Sequence, residues 1–235
     1  MPEKNLKQRI REGAIVVGRG ASIATAPDDL RAILDGADFD FISTDSQHSA
    51  FNEERLVTFC EVADEFDMPV QFRIKHTRNA YLIGNYLDLG PTGIEVPQVE
   101  LESTVDEAIA NFYYPQIGKR SWGGASRKVA PEHSERLAYA QWWSENGVLW
   151  MQIESINAVL NARKLAKPGV DCLSFGPADL SFSIESYSHP VLKTVDDCAL
   201  HVAEQLKGTG VAVCLRGVAP DNREKYIDMG ITMFL

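Results

Sequence analysis

Positive charge is scarce in this chain. The 23 Lys and Arg residues face 33 Asp and Glu, for a formal net charge of -10. A phosphate backbone is gripped by clustered Lys and Arg, so this balance argues against nucleic acid as a partner. Cysteine is sparse too. Cys60, Cys172, Cys198 and Cys214 lie far apart, with no CxxC and no zinc-type spacing. Cys60, Cys172 and Cys214 sit inside apolar runs, the setting of buried, reduced thiols, and a cytoplasmic location is expected. No apolar stretch approaches the roughly 20 residues that a membrane helix needs. The charged start Met1-Pro2-Glu3-Lys4-Asn5 is not followed by the apolar segment of a signal peptide, so no membrane association is expected. No GxGxxG follows an early strand, which speaks against a dinucleotide-binding sheet. Low-complexity segments, linkers and internal repeats are missing as well.

What the sequence does have is a rhythm. Short apolar runs at Ala14–Gly18, Phe39–Thr44, Pro69–Ile74, Thr92–Val96, Val148–Ile153, Asp171–Phe175, Val211–Leu215 and Ile231–Phe234 read as strands. Helical patterns fall between most of them, at Asp29–Gly36, Asn52–Phe66, Ala80–Leu89, Ile156–Ala166, Thr194–Lys207 and Pro220–Met229. Alternating β and α means a parallel sheet covered by helices, and eight strands predict a closed (β/α)8 TIM barrel, one α/β domain over residues 1–235. A doubly wound open sheet is the alternative. Tyr113–Ser144 breaks the rhythm and reads as a long irregular, functional loop.

Chemistry in such a barrel sits at the C-terminal ends of the strands. That rule collects Asp45, Gln47 and His48 after strand two, Arg73 at the end of strand three, Glu154 after strand five, Asp179 after strand six and Arg216 after strand seven. Two hard oxygen ligands emerging at one rim, Glu154 and Asp179, suit a divalent cation with positions left for a substrate. Each acid also has a plainer reading as a helix cap, and His76, His133, His189 and His201 read as hydrogen-bonded surface histidines. Trp142 and Trp143 read as packing or interface residues.

Several segments together resemble the HpcH/HpaI aldolase family, the metal-dependent class II pyruvate aldolases. They are Asp45-Ser46-Gln47-His48, Arg73, Leu87-Asp88-Leu89-Gly90, Val96-Pro97-Gln98-Val99-Glu100, the glycine-bearing Lys119–Arg127, Gln152-Ile153-Glu154 and Gly176-Pro177-Ala178-Asp179-Leu180-Ser181. The match runs in one order through nearly the whole chain. The resemblance implies Glu154 and Asp179 as metal ligands, His48 as catalytic base with Asp88 as its charge partner, and Arg73 on the keto oxygen. It implies Gln152, Gly176, Pro177 and Ala178 around the substrate, with Asp45 and Gln47 behind them. Mg²⁺, Mn²⁺ or Co²⁺ would serve as cofactor, because carboxylates and water select little among such cations. A small oxo acid and an aldehyde would be the molecules bound, and a homo-oligomer, a hexamer or trimer of dimers, is implied.

The residue types suit that chemistry. Cleaving a 4-hydroxy-2-oxo acid between C3 and C4 leaves pyruvate as an enolate, whose charge a divalent cation and Arg73 would share. A base must take the C4 hydroxyl proton, and an imidazole beside a carboxylate fits this task. No lysine stands on a strand to form a Schiff base; Lys75 is the nearest.

Three departures from the family pattern stand out. Gln47 occupies the usual place of a glutamate. Arg216 stands where relatives tend to be apolar, and predicts a preference for an acidic semialdehyde. The chain stops at Met233-Phe234-Leu235, within the expected last strand, where relatives continue into a further helix. Rival readings are an acyl-CoA carbon–carbon lyase, for which Lys119, Arg120, Arg127, Lys128 and Arg136 are candidate nucleotide contacts, an oxaloacetate decarboxylase, and an oxo-acid-binding barrel that has lost activity.

Overall fold

Eight parallel strands close into one barrel in the order β1 to β8. They are β1 (Val16–Gly20), β2 (Phe41–Asp45), β3 (Val70–Arg73), β4 (Gly93–Val96), β5 (Val148–Ile153), β6 (Cys172–Phe175), β7 (Ala212–Leu215) and β8 (Met233–Phe234). Closure comes from β8 lying against β1, with Val16 beside Met233 and Val17 beside Phe234. The computed structural model describes residues 4–123 and 135–235.

Apolar runs become strands here because both faces of each strand are buried. The outward face, with residues such as Ile42, Phe72, Ile94, Met151, Leu173 and Val213, packs under the helices in a single large core. The inward face is divided by height. At the N-terminal end, Val16, Phe41, Val148, Trp150, Cys172, Cys214 and Met233 fill the barrel with apolar atoms, and Ile10 joins them from below. Gly93 makes that filling possible, since a Cβ there would sit 2.2 Å from the Trp150 ring. Above this plug the inward residues turn polar: Ser43, Asp45, Gln71, Arg73, Glu95, Gln152 and Ser174.

Local signals start most helices. Helix α1 (Leu6–Arg11) opens with a reciprocal Asn5–Gln8 capping box. It closes the lower end of the barrel, where buried Lys7 pairs with Asp171 at 3.1 Å and donates to the Gly147 carbonyl at 2.7 Å. Helix α2 (Pro27–Leu34) begins with Pro27 and two acids, α3 (Glu53–Asp64) with Asn52 accepting from the Arg55 N–H. The predicted Ala80–Leu89 helix is a 3-10 turn over Thr77–Leu82 followed by α4 (Ile83–Leu87). Helix α5 (Glu102–Phe112) was not among the expected helices, although Val105, Ala108, Ile109 and Phe112 recur at helical spacing. Helix α6 (Arg136–Asn146) corrects the expectation of irregular chain to Ser144. Its apolar residues do not form one stripe: Tyr139 and Trp143 are buried while Leu137 is exposed.

The segment Ile156–Ala166 forms α7 (Ile156–Leu160) and α8 (Ala162–Leu165), parted at Asn161. The Asn161 side-chain amide donates to the Asn157 carbonyl at 2.9 Å, a local bond that competes with continuous helix. Helix α9 (Pro177–Ser186) follows β6 directly, α10 (Val195–Leu206) starts from a Thr194–Asp197 capping box, and α11 (Arg223–Ile227) follows a 3-10 turn. All four cysteines are buried, and none is in a disulfide. Among the described residues, no helix is long and apolar enough to cross a membrane.

Candidate active site

The polar upper half of the barrel holds most of the residues that the rim argument singled out. Arg73, the last residue of β3, lies across from Asp45, the last of β2, in the sheet register. Its Nε donates to Asp45 at 2.7 Å and its Nη1 to Gln152 at 3.2 Å. Asp45 also accepts the main-chain N–H groups of Gln47 at 2.9 Å and His48 at 3.1 Å. Burial works against the Asp45 charge, but these donors outweigh it and hold its pKa below the ordinary value. Asp45 therefore fixes both Arg73 and the turn that carries His48, which stands exposed at the rim.

Glu154 follows β5 by one residue and is 7% exposed. Its Oε1 is buried and has no hydrogen-bond partner. Burial first, then the nearby charge of Asp179, pushes its pKa up to about 7, against the pull of Arg73 and Arg216. A buried, unpartnered carboxylate oxygen crowded by a second carboxylate is costly unless a cation comes between them. Asp179 is exposed, in the first turn of α9. The two acids therefore fit a divalent cation on donor chemistry as well as on the orphaned oxygen. Among the described residues no cluster of three or more His, Cys, Asp or Glu side chains offers a fuller cage.

Gly176 is the reason Glu154 can lie where it does. A Cβ at Gly176 would be 2.0 Å from Glu154 Oε2 and 2.8 Å from Gln152 Nε2. The next residue, Pro177, opens α9 and has no N–H, and helix geometry leaves the Ala178 and Asp179 N–H groups without intrahelical partners.

Among the described residues, Asp88 and His48 are not paired. Asp88 pairs at 2.7 Å with Arg120, rather than with His48. Arg120 is 3% exposed and lies 4.9 Å from the Tyr114 ring centre and 4.8 Å from that of Trp143. It is thereby committed to the protein interior and unavailable to a nucleotide. Arg127 and Lys128, like Gly124, Ala125, Ser126, Pro131 and His133, lie outside the described residues. Trp143 packs as expected, its indole N–H donating to the Phe112 carbonyl at 2.9 Å. Lys75 is exposed.

The sequence reading overlooked Glu95. It sits mid-strand in β4 at 0% exposure, accepting from Gln71 Nε2 at 2.6 Å, from the Ser174 hydroxyl and from Arg216 Nη2. Ser43 donates in turn to the Gln71 carbonyl oxygen. Burial opposes the Glu95 charge, yet Arg216 and Ser174 hold its pKa below the usual carboxylate range. The signal was present in Gly93-Ile94-Glu95-Val96, where an acid breaks an apolar run on the face opposite Ile94. Arg216, after β7, reaches the buried Glu95 carboxylate inside the barrel.

With the geometry in view, the comparisons with known proteins are consistent with one another. The HpcH/HpaI aldolase/citrate lyase family model matches residues 23–234. The hydroxypyruvate/pyruvate aldolase of Sagittula stellata is 26% identical over 213 residues, 90% of this chain and 82% of the relative. The 2-dehydro-3,6-dideoxy-6-sulfogluconate aldolase of Pseudomonas putida is 28% identical over 150 residues, 63% of this chain and 58% of that protein. In three dimensions, the crystal structure of the HpcH/HpaI aldolase from Desulfitobacterium hafniense DCB-2 superposes with a TM-score of 0.85 at 25% identity, covering 99% of this chain and 90% of that one. The chain belongs to the HpcH/HpaI aldolase/citrate lyase family and is a carbon–carbon lyase of the aldolase type.

Proposed function

We propose that the protein catalyses the reversible aldol cleavage of a 4-hydroxy-2-oxo acid to pyruvate, or a close analogue, and an aldehyde, with a divalent cation as cofactor. The observation that carries this reading is the Glu154–Asp179 pair, one carboxylate buried with an unpartnered oxygen and raised to about 7, beside the clamped guanidinium of Arg73. Glu154 and Asp179 would hold Mg²⁺, Mn²⁺ or Co²⁺, which when bound supplies a positive charge that lowers the energy of an enolate.

The chain's own groups do the rest. Arg73, held by Asp45 and Gln152, aims a fixed cation at the 2-oxo oxygen and needs no reorganisation as negative charge builds there. The free N–H groups at the start of α9 receive the substrate carboxylate. His48, on the turn that Asp45 fixes, takes the C4 hydroxyl proton in cleavage and returns it in synthesis. Gln47 contributes an amide that can hydrogen-bond but cannot take up a proton. The assembly implied by the family resemblance, a homo-oligomer, has exposed apolar side chains such as Leu137, Phe182 and Val191 available to bury.

The test follows the methyl protons of pyruvate in D₂O by NMR, then carbon–carbon bond formation with a panel of aldehydes. Exchange that needs both an added divalent cation and His48 supports the reading. Metal-replete protein that neither exchanges these protons nor joins pyruvate to any aldehyde overturns it. Release of carbon dioxide from oxaloacetate without aldol addition would point to decarboxylation as the reaction.

A further inference from the structure

We propose that Glu95 is a positioning residue for the cation site: it tethers Arg216 and so keeps that guanidinium off the orphaned carboxylate oxygen of Glu154. This rests on the reading above that Glu154 and Asp179 hold a divalent cation, and adds what keeps Glu154 available to one.

The strand register sets the problem. Ile153 lies beside Phe175, and Ser174 beside Cys214. Continuing that register past the strand ends puts Glu154, Gly176 and Arg216 in one row across β5, β6 and β7. Gly176, in the middle of the row, has no side chain to stand between its neighbours. Glu154 leans into that space, with its Oε2 2.0 Å from where a Gly176 Cβ would be. The carboxylate thus lies toward the strand from which Arg216 emerges, and the two charges act on each other. A guanidinium has five N–H donors. Among the described residues, Arg216 Nε is buried without a partner, and so is Glu154 Oε1. A charge-assisted pair between these side chains would satisfy both.

Glu95 draws the guanidinium elsewhere. Arg216 Nη2 donates to Glu95 on β4, so the side chain reaches across the barrel rather than along the row to Glu154. Glu95 can hold it because Glu95 is itself held. It accepts from Gln71 Nε2 at 2.6 Å and from the Ser174 hydroxyl, and Ser43 donates to Gln71 in turn. Burial opposes the Glu95 charge, but Arg216 and Ser174 outweigh burial, so the tether is ionised near neutral pH.

A guanidinium that is only 21% exposed does not stay unpaired at low cost. Freed from Glu95, it would turn to another acid. Asp45 feels its charge, but Asp45 is already taken by Arg73 and by the N–H groups of Gln47 and His48. Glu154 is the buried acid left open to it. A cation would then have to displace Arg216 before it could bind.

The experiment measures Mn²⁺ binding to the full chain by isothermal titration calorimetry, in a double-variant cycle of Glu95→Gln and Arg216→Leu. Glu95→Gln alone is expected to weaken Mn²⁺ binding by roughly 10–100-fold, the usual effect of losing a group that supports a metal ligand. In the Arg216→Leu background the same change costs much less, because no guanidinium is released. A crystal structure of the metal-free Glu95→Gln protein is expected to show Arg216 on Glu154. Both results are required. If Glu95→Gln fails to fold, Glu95→Ser, which leaves room for a water, takes its place. Through-space electrostatics or a structural role alone would give equal effects in the two backgrounds. Equal effects, or Arg216 found elsewhere than on Glu154, overturn this proposal and leave the cation site standing. Wild-type protein that binds no Mn²⁺, or binds it unchanged after Glu154→Gln, overturns the cation site and this proposal together.

Discussion

Gly176→Ala separates site geometry from fold. The Gly176 backbone, at φ -96°, is one that alanine adopts, so no backbone strain follows. The cost is space. The new Cβ would be 2.0 Å from Glu154 Oε2 and 2.8 Å from Glu154 Cβ and Gln152 Nε2. Ordinary contact of a methyl carbon with these atoms needs about 3.5 Å, so the Glu154 carboxylate must retreat by more than about 1 Å. A misplacement of about 1 Å in a catalytic constellation costs on the order of 10² in rate. The local overpacking costs about 1–3 kcal/mol, which in a chain of this size is a fall in melting temperature of several degrees.

The expected result for Gly176→Ala is a folded protein, by circular dichroism, with divalent-ion affinity and turnover each down by about two orders of magnitude. Gly93→Ala is the contrast. Its Cβ would strike the Trp150 ring at 2.2 Å and the Val148 carbonyl at 3.0 Å, in the apolar lower barrel. It should lose stability while the folded fraction keeps its turnover. A folded Gly176→Ala protein with wild-type metal affinity, measured by isothermal titration calorimetry, would refute the claim that this glycine shapes the Glu154 site.

Glu154 also predicts a pH dependence. With its pKa near 7 in the folded state, above the ordinary carboxylate value, the metal-free protein carries a proton there that an incoming cation must displace. Apparent metal affinity should fall about tenfold per pH unit below about 7, with close to one proton released; pH-independent affinity with no release would refute it. The sign for stability is the reverse: the contribution of this proton to the metal-free fold is complete below the usual carboxylate pKa and is lost as pH rises through about 7. Glu154→Gln should flatten that loss in thermal melts. Replacing His48 with Asn should lower aldol cleavage by about 10²–10⁴ and leave metal affinity unchanged, since its imidazole acts on the substrate proton; an affinity that collapses with it would make His48 a ligand instead. Arg120→Met should destabilise the chain by about 2–3 kcal/mol, because Asp88 loses its partner, and Asp88→Asn should restore part of it in the double variant; strictly additive effects would show that the two side chains do not couple.

Much of the architecture was legible in local pattern. Alternating strand and helix signals, stops such as Gly230 and caps such as Thr194 are written within a few residues of where they act, and they specify a parallel closed sheet. The rim rule then gathered Asp45, Arg73, Glu154 and Asp179, because the C-terminal end of a strand is a position the sequence itself marks. Helix α6 stayed hidden, since its apolar residues do not form one stripe.

The tertiary structure decided who meets whom. Arg216 finds Glu95 across 121 residues, Ser174 finds it across 79, and Asp88 turns to Arg120 rather than His48. These pairings depend on sheet register and on which side chains share one height inside the barrel. That information is set by all eight strands together and leaves no trace in any single one. The same holds for Gly176: the sequence marks a turn before a helix, and only the closed barrel brings Glu154 against the space where its side chain would have been.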